Sequence, residues 1–186
     1  MTILGIDPGS VVCGYGVIRV TGTKLVAVEY GAIQVKRRTN TFAQRLNEIH
    51  DRLQAVITRT SPDACALEAV FFAKNVRSIV QLSQARGVAL LACAQHRLEP
   101  VEYTPMQVKR SVTGRGAASK QQVATMVQAI LTIEEQPELF DATDALAVAI
   151  CYAVNNGQMP TPVAGRRKTS VRKAWSEFVK QQPRTI

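Results

Sequence analysis

The sequence predicts one α/β domain built on a mixed, five-stranded β-sheet flanked by helices. Two observations predict it. Strand-like apolar runs come first along the chain, and strands and helices alternate after them. The 186 residues are 46% hydrophobic, which is enough for one sizeable core in a domain of about 150 residues. We therefore expect a domain over residues 1–156, followed by a basic and flexible tail over residues 157–186.

The strands are predicted from short apolar runs bounded by turn residues. The first run ends at the turn Pro8–Ser10, and the next two runs are separated by a short loop containing Gly22, which suits a hairpin. A later run is apolar on both faces, as interior strands usually are. The predicted strands cover residues 2–7, 15–20, 25–30 with a continuation through 32–35, 63–70 and 101–104.

The helices are predicted from apolar residues that recur at helical spacing. Thr41 is a candidate N-cap for the first helix, and Ser61 and Pro62 stop it. The second is apolar nearly all round, which indicates either a place deep in the core or contact with a second subunit. The predicted helices cover residues 42–60, 76–98, 105–112, a segment from about 119 that ends before 134, and 140–154.

The charge balance favours nucleic acid as the partner. The chain has 23 basic and 14 acidic side chains, a net charge of +9 and a pI of about 9.8. The tail over residues 157–186 contributes +6 and the rest of the chain only +3. A basic tail alone is weak support for a specific partner, because many solvated tails are basic.

The cysteines and histidines argue against a soft-metal site. Four cysteines lie far apart in apolar segments, which is typical of buried thiols rather than of a disulfide or zinc framework. The chain has only two histidines. No basic and apolar leader and no run of about 18 apolar residues is present, so we expect a cytoplasmic protein that does not enter a membrane.

Four acidic residues stand in apolar or helix-opening positions. Asp7 ends the first apolar run, Glu68 interrupts a later one, and Asp141 and Asp144 open an alanine-rich helix. Each has an ordinary explanation when taken alone. Asp7 could cap a turn, Glu68 could pair with a buried arginine, and Asp141 and Asp144 could complement the helix dipole. One shared Mg²⁺ or Mn²⁺ ion explains all four together, because crowded carboxylates repel one another without a counter-ion. Phosphodiester cleavage is the chemistry that such a site favours.

Several segments of the chain resemble the RuvC family of Holliday junction resolvases. They occur in the family's order: residues 3–10 (ILGIDPGS) with 14–18 (GYGVI), 68–75 (EAVFFAKN), 84–88 (QARGV) and 141–147 (DATDALA). The resemblance implies a three-layer ribonuclease H-like fold and a homodimer that nicks two opposed strands of a four-way DNA junction in recombination and repair. It also implies one or two Mg²⁺ ions per site, replaceable by Mn²⁺, and association with a branch-migration motor.

The resemblance also implies roles for individual residues. The metal-binding acids are Asp7, Glu68, Asp141 and Asp144, and Lys109 and Lys120 contact the scissile phosphate. An aromatic side chain that stacks on an unpaired base corresponds to Phe71, and Phe72 could share or take over that role. Helix 76–98 corresponds to the dimer contact. The candidates for contact with the DNA backbone are Lys74, Arg77, Arg86, Arg110 and Arg115.

Two other classes of function remain open from the sequence. The turn at Asp7–Ser10 also occurs at the start of actin-like and sugar-kinase ATPases, but this chain has neither the length for a second domain nor a second phosphate-binding glycine loop. A junction-binding protein without catalysis is the other alternative, and the four intact acids argue against it.

Overall fold

The sheet of the computed structural model has five strands in the order β3-β2-β1-β4-β5. The structure describes residues 1–35, 41–69, 75–133 and 140–156. The strands are β1 (Thr2–Asp7), β2 (Val12–Thr21), β3 (Lys24–Gln34), β4 (Ala64–Glu68) and β5 (Val101–Tyr103). The first three form the antiparallel meander that the sequence predicts, while β4 pairs parallel with both β1 and β5. The predicted mixed sheet is confirmed.

Five helices in the described part of the chain cover the two faces of the sheet. They are α1 (Phe42–Thr60), α2 (Val76–Gln95), α3 (Pro105–Thr113), α4 (Lys120–Leu131) and α5 (Phe140–Asn155). Capping boxes begin α1, α3 and α4, where Thr41, Thr104 and Ser119 accept the backbone N–H three residues on. Helices α1 and α2 pack against each other, while α3 and α4 both pack on α5, which lies against the sheet.

Alternation along the strands divides the core into two layers. On β1, Leu4 and Ile6 point into the cluster formed with α1 and α2, while Ile3 points into the cluster formed with α3, α4 and α5. On β4, Leu67 belongs to the first cluster and Ala66 to the second. Asp7 and Glu68 continue this alternation, and both therefore lie on the α5 face of the sheet.

Most predicted elements are confirmed, and several of their ends differ from the prediction. Strand β2 begins three residues earlier than predicted, because its glycines pair in register with β1 and β3. Strand β3 continues past Gly31, as predicted. Helix α2 ends at Gln95 rather than at residue 98, because Arg97 takes a left-handed backbone conformation with φ of 59°.

Helix α2 is only partly buried within the chain. Its buried residues are the small side chains Ala85, Ala89, Ala92 and Cys93. All four cysteines are free and buried, as predicted. In the described ranges no helix has the length and apolar character needed to cross a membrane. The predicted flexible tail over residues 157–186 lies outside the described residues.

Glycines let helix α5 lie directly on the sheet. Gly5 of β1 pairs in register with Gly16 of β2. A Cβ atom at Gly5 would overlap the carbonyl oxygen of Ala145 and lie 2.6 Å from the backbone nitrogen of Ala149. A Cβ at Gly16 would lie 2.8 Å from atoms of Leu146. The absence of side chains at these positions therefore sets how closely α5 approaches β1 and β2.

We expect Gly5→Ala to destabilise the fold by about 2 kcal/mol or more, because the new methyl group meets the backbone of α5 and forces the helix off the sheet. Gly31→Ala is the matched control, since the three atoms nearest to a Cβ there all belong to the end of the Tyr15 side chain, at 2.9 Å or more. Urea denaturation of both variants measures the difference. Equal stabilities would contradict the close packing of α5.

Candidate active site

The carboxyl ends of two parallel strands place two acids side by side. Ile6 of β1 pairs in register with Leu67 of β4, and the next residues along these strands are Asp7 and Glu68. Adjacent strands are about 4.8 Å apart, so the two side chains share one edge and one face of the sheet. Their carboxyl groups lie within hydrogen-bonding reach of each other.

The first turn of helix α5 supplies the other two acids. Asp7 pairs in register with Gly14 of β2. The backbone of Asp141 lies directly over Gly14, where a Cβ would be 2.6 Å from the carbonyl carbon of Asp141. Asp144 follows three residues later, on the same side of the helix. Asp141 and Asp144 both act electrostatically on Asp7, so the fold brings the four predicted acids together.

Crowding and burial make Asp7 difficult to ionise. The pKa of Asp7 is raised from 3.8 to about 8, chiefly by burial and further by the neighbouring carboxylates of Glu68, Asp144 and Asp141. Burial and Asp144 also raise the pKa of Glu68. A proton held between Asp7 and Glu68 would relieve part of the repulsion. The cluster therefore carries more negative charge than the protein alone can stabilise.

Two lysines supply the nearby positive charge. The Nζ atom of Lys120 donates a hydrogen bond to Oδ2 of Asp144 at 2.8 Å, and this bond raises the pKa of Lys120. Lys109 on α3 and Lys120 both oppose the rise in the pKa of Glu68. Lys120 sits at the first position of α4, and its side chain is 69% exposed. Both predicted lysines thus lie close enough to act on the acid cluster.

The donor set fits a hard divalent cation in its chemistry. Four carboxylates offer oxygen ligands only, which suit Mg²⁺ or Mn²⁺. In the described ranges, however, no group of three or more acidic, histidine or cysteine side chains is arranged to hold an ion as it stands. Asp144 is already paired with Lys120, and Asp7 is hydrogen-bonded to Glu68. Binding an ion therefore requires rotation of carboxylate side chains that the helix and strand ends already bring together.

The other residues predicted to contact DNA differ in their surroundings. Arg77, Arg110 and Arg115 are exposed. Arg86 of α2 forms an ion pair with Glu102 of β5, using two guanidinium nitrogens. Its predicted contact with the DNA backbone stays a prediction. Phe71, Phe72 and Lys74 lie outside the described residues, so their predicted roles stay predictions.

Comparison with known proteins identifies the family. The model of the family described as "Crossover junction endodeoxyribonuclease RuvC" matches residues 3–152. This chain belongs to the RuvC family. Among its relatives, the RuvC protein of Heliobacterium modesticaldum is 49% identical over 82% of this chain and 94% of its own length. The RuvC protein of Cytophaga hutchinsonii is 41% identical over 97% of this chain and 86% of its own length.

Solved structures agree with the RuvC assignment. The structure of Thermus thermophilus RuvC in complex with a Holliday junction substrate has a TM-score of 0.80 and 33% identity, covering 85% of this chain and 96% of that one. The yeast mitochondrial Holliday junction resolvase Ydc2 has a TM-score of 0.62 at 14% identity, covering 96% of this chain and 83% of that one. This second likeness shows the fold alone. The predicted ribonuclease H-like architecture is confirmed.

One charged residue near the site escaped the prediction from sequence. Arg45 of α1 is only 7% exposed, and its Nη1 atom donates a hydrogen bond to the carbonyl oxygen of Ser10, at 3.0 Å. Ser10 lies in the turn that follows Asp7. Its spacing could have indicated that Arg45 is buried. Residue 45 falls on the same helical stripe as Ile49 and Leu53, where an apolar side chain is expected.

The raised pKa of Asp7 predicts how the ion-free protein responds to pH. Asp7 titrates near pH 3.8 when unfolded and near pH 8 when folded. Between these values the folded chain binds more protons than the unfolded chain. The free energy of unfolding should therefore fall as pH rises, by up to about 1.4 kcal/mol per pH unit. The raised pKa of Glu68 acts in the same direction.

Chemical denaturation in a chelator between pH 5 and pH 8 measures this dependence. We expect Asp7→Asn to flatten the curve and to be more stable than the unaltered protein at pH 8. Glu99→Gln, which removes an exposed carboxylate in the loop before β5, is the control and should leave the slope unchanged. A flat curve for the unaltered protein would show that the four carboxylates are not crowded.

Proposed function

We propose that this chain resolves Holliday junctions by nicking two opposed strands of a four-way DNA junction, in recombination and repair. The observation that carries the proposal is the gathering of Asp7, Glu68, Asp141 and Asp144 at one edge of the sheet in a member of the RuvC family. The junction-bound Thermus relative supports the same substrate. No feature of the described site favours the ATPase alternative.

The four carboxylates would hold the catalytic metal. We assign Mg²⁺ to the site, one or two ions in number, with Mn²⁺ as a substitute, because the ligands are all carboxylate oxygens. Bound there, the ions would supply Lewis acidity for hydrolysing a phosphodiester. The same charge would offset the repulsion that keeps a proton on Asp7. The raised pKa of Asp7 is thus a consequence of a site built for an added cation.

The two lysines complete the proposed mechanism. The Lys120 ammonium neutralises Asp144 in the absence of an ion. With Asp144 as a metal ligand, Lys120 would be free to contact the scissile phosphate, and its exposure leaves it accessible to DNA. Lys109 lies near Glu68, where it can stabilise negative charge that grows in the transition state. Arg77, Arg110 and Arg115 are exposed and can contact the DNA backbone.

We infer that α2 forms the dimer contact. Val76, Val80 and Leu91 are 76%, 50% and 53% exposed, and their spacing places them on one helical face. The opposite face packs on α1. A four-way junction has two equivalent strands to cut, and a two-fold dimer presents two equivalent sites. We also propose that the protein associates with a branch-migration motor, and the resemblance to the family is the only support for this association.

A nicking assay on a synthetic four-way junction tests the function. With Mg²⁺ the protein should cut two opposed strands, and a chelator should stop the reaction. Asp7→Asn should lower the rate by about 100-fold or more, because a metal ligand is lost while the DNA-binding surface stays intact. Glu99→Gln is again the control and should cut normally. Junction binding without any nicking would instead support the binding-only alternative.

Substitution of Leu91 tests the dimer. Leu91→Glu should weaken association by about 100-fold or more, because it would bury an unpaired charge in the contact. Analytical ultracentrifugation measures the change, and the monomer should lose coordinated cutting of the second strand. Val26→Glu is the matched control, since Val26 is 41% exposed on β3 and away from α2. A Leu91→Glu protein that remains dimeric would place the contact elsewhere.

A further inference from the structure

A buried guanidinium lies behind the turn that carries Asp7. Arg45 is on the first turn of α1, on the face of the sheet opposite to α5. The residue is 93% buried. The ring of Phe42 covers it, with 5.0 Å between the guanidinium carbon and the ring centroid. This stacking is a favourable cation–π contact. The charge is therefore held firmly away from solvent.

The contacts of Arg45 differ from those of an ordinary buried arginine. None of the aspartates and glutamates in the described residues forms an ion pair with it. Its Nε atom has no hydrogen-bond partner. Its Nη1 atom donates to the Ser10 carbonyl oxygen at 3.0 Å, and Ser10 is itself buried. Burying an unpaired charge is costly, so an apolar side chain in this stripe would stabilise the core better.

The turn bonded to Arg45 joins two parts of the acid cluster. It leads from Asp7, the last residue of β1, into β2, where Gly14 supports the backbone of Asp141. The turn is tight: a Cβ at Gly9 would overlap the carbonyl oxygen of Val12. Its far end is held by the N–H of Val35, which donates to the Val11 carbonyl oxygen at 2.9 Å. The bond from Arg45 braces the remaining part of the turn, at Ser10.

We propose that Arg45 is a positioning residue for the metal site: by holding the Ser10 carbonyl it sets the placement of the Asp7 carboxylate relative to Glu68 and Asp141. The proposal rests on the proposed function, in which Asp7 is a metal ligand. Arg45 acts from the opposite face of the sheet and does not touch the DNA or the ion. Its loss should therefore weaken Mg²⁺ binding without removing any ligand.

Two variants and one control test the proposal in the full-length protein. Arg45→Met keeps the length and apolar stem but loses the hydrogen bond, and Arg45→Lys keeps one donor. Arg59→Met is the control. Arg59 is also on α1, but it lies at the other end of the helix, where it pairs with Glu29 of β3. Its loss affects helix packing and leaves the Ser10 turn untouched.

The readouts are the Mg²⁺ concentration for half-maximal nicking and the rise in melting temperature produced by Mg²⁺ without DNA. For Arg45→Met we expect the half-maximal concentration to rise about 10-fold or more, as loss of a supporting residue behind a ligand usually does. Saturating Mg²⁺ should restore most of the rate. The melting-temperature rise at a fixed, subsaturating Mg²⁺ concentration should shrink. Arg45→Lys should lie between Arg45→Met and the unaltered protein.

A purely structural role gives a different result. It would change only the melting temperature in chelator and leave the Mg²⁺ dependence of both Arg45 variants unchanged, which would overturn the proposal. If Arg45→Met does not fold, an unchanged Mg²⁺ requirement in Arg45→Lys overturns it equally. A failure of the proposed function is separate and visible in the same assay, because the unaltered protein would then not nick the junction at all.

Discussion

The close contact between helix α5 and the sheet is the constraint on which the site depends. Gly5, Gly14 and Gly16 present no side chains, so the helix backbone rests on β1 and β2. At this separation the first turn of α5 overlies the end of β1 and brings Asp141 and Asp144 to Asp7. Larger side chains in the sheet would force the helix away from it and would separate Asp141 and Asp144 from Asp7.

The cluster formed in this way is unfavourable for the ion-free protein. Burial and mutual repulsion raise the pKa of Asp7 to about 8, and Lys120 and Lys109 offset only part of the negative charge. Two apolar layers stabilise the fold around this site. Instability at a functional site is expected where the missing charge arrives with a ligand. The crowding that raises the pKa of Asp7 is thus the same arrangement of carboxylates that the proposed metal chemistry requires.

Much of this arrangement was predictable from the sequence, and the exceptions have physical reasons. Strand and helix positions follow from apolar periodicity and capping residues, which act locally. The four acids were recognisable because carboxylates rarely occur in apolar runs. Local patterns did not predict the ion pair between Arg86 and Glu102, because it joins residues sixteen positions apart in the chain. Such pairings depend on how α2 lies on β4 and β5, which no local pattern determines.

Local pattern and composition by themselves determined the order of the elements and the presence of acids suited to a hard cation. The parallel register of β1 and β4 in the folded chain then placed Asp7 and Glu68 on one face of the sheet. Only the tertiary structure decided that Lys120 neutralises Asp144, that α2 leaves an apolar face uncovered, and that Arg45 braces the turn after Asp7. The reason is that periodicity records which way each side chain points within its own element. Distances between elements arise from packing of residues far apart in the chain, and the chemistry of the site depends on those distances.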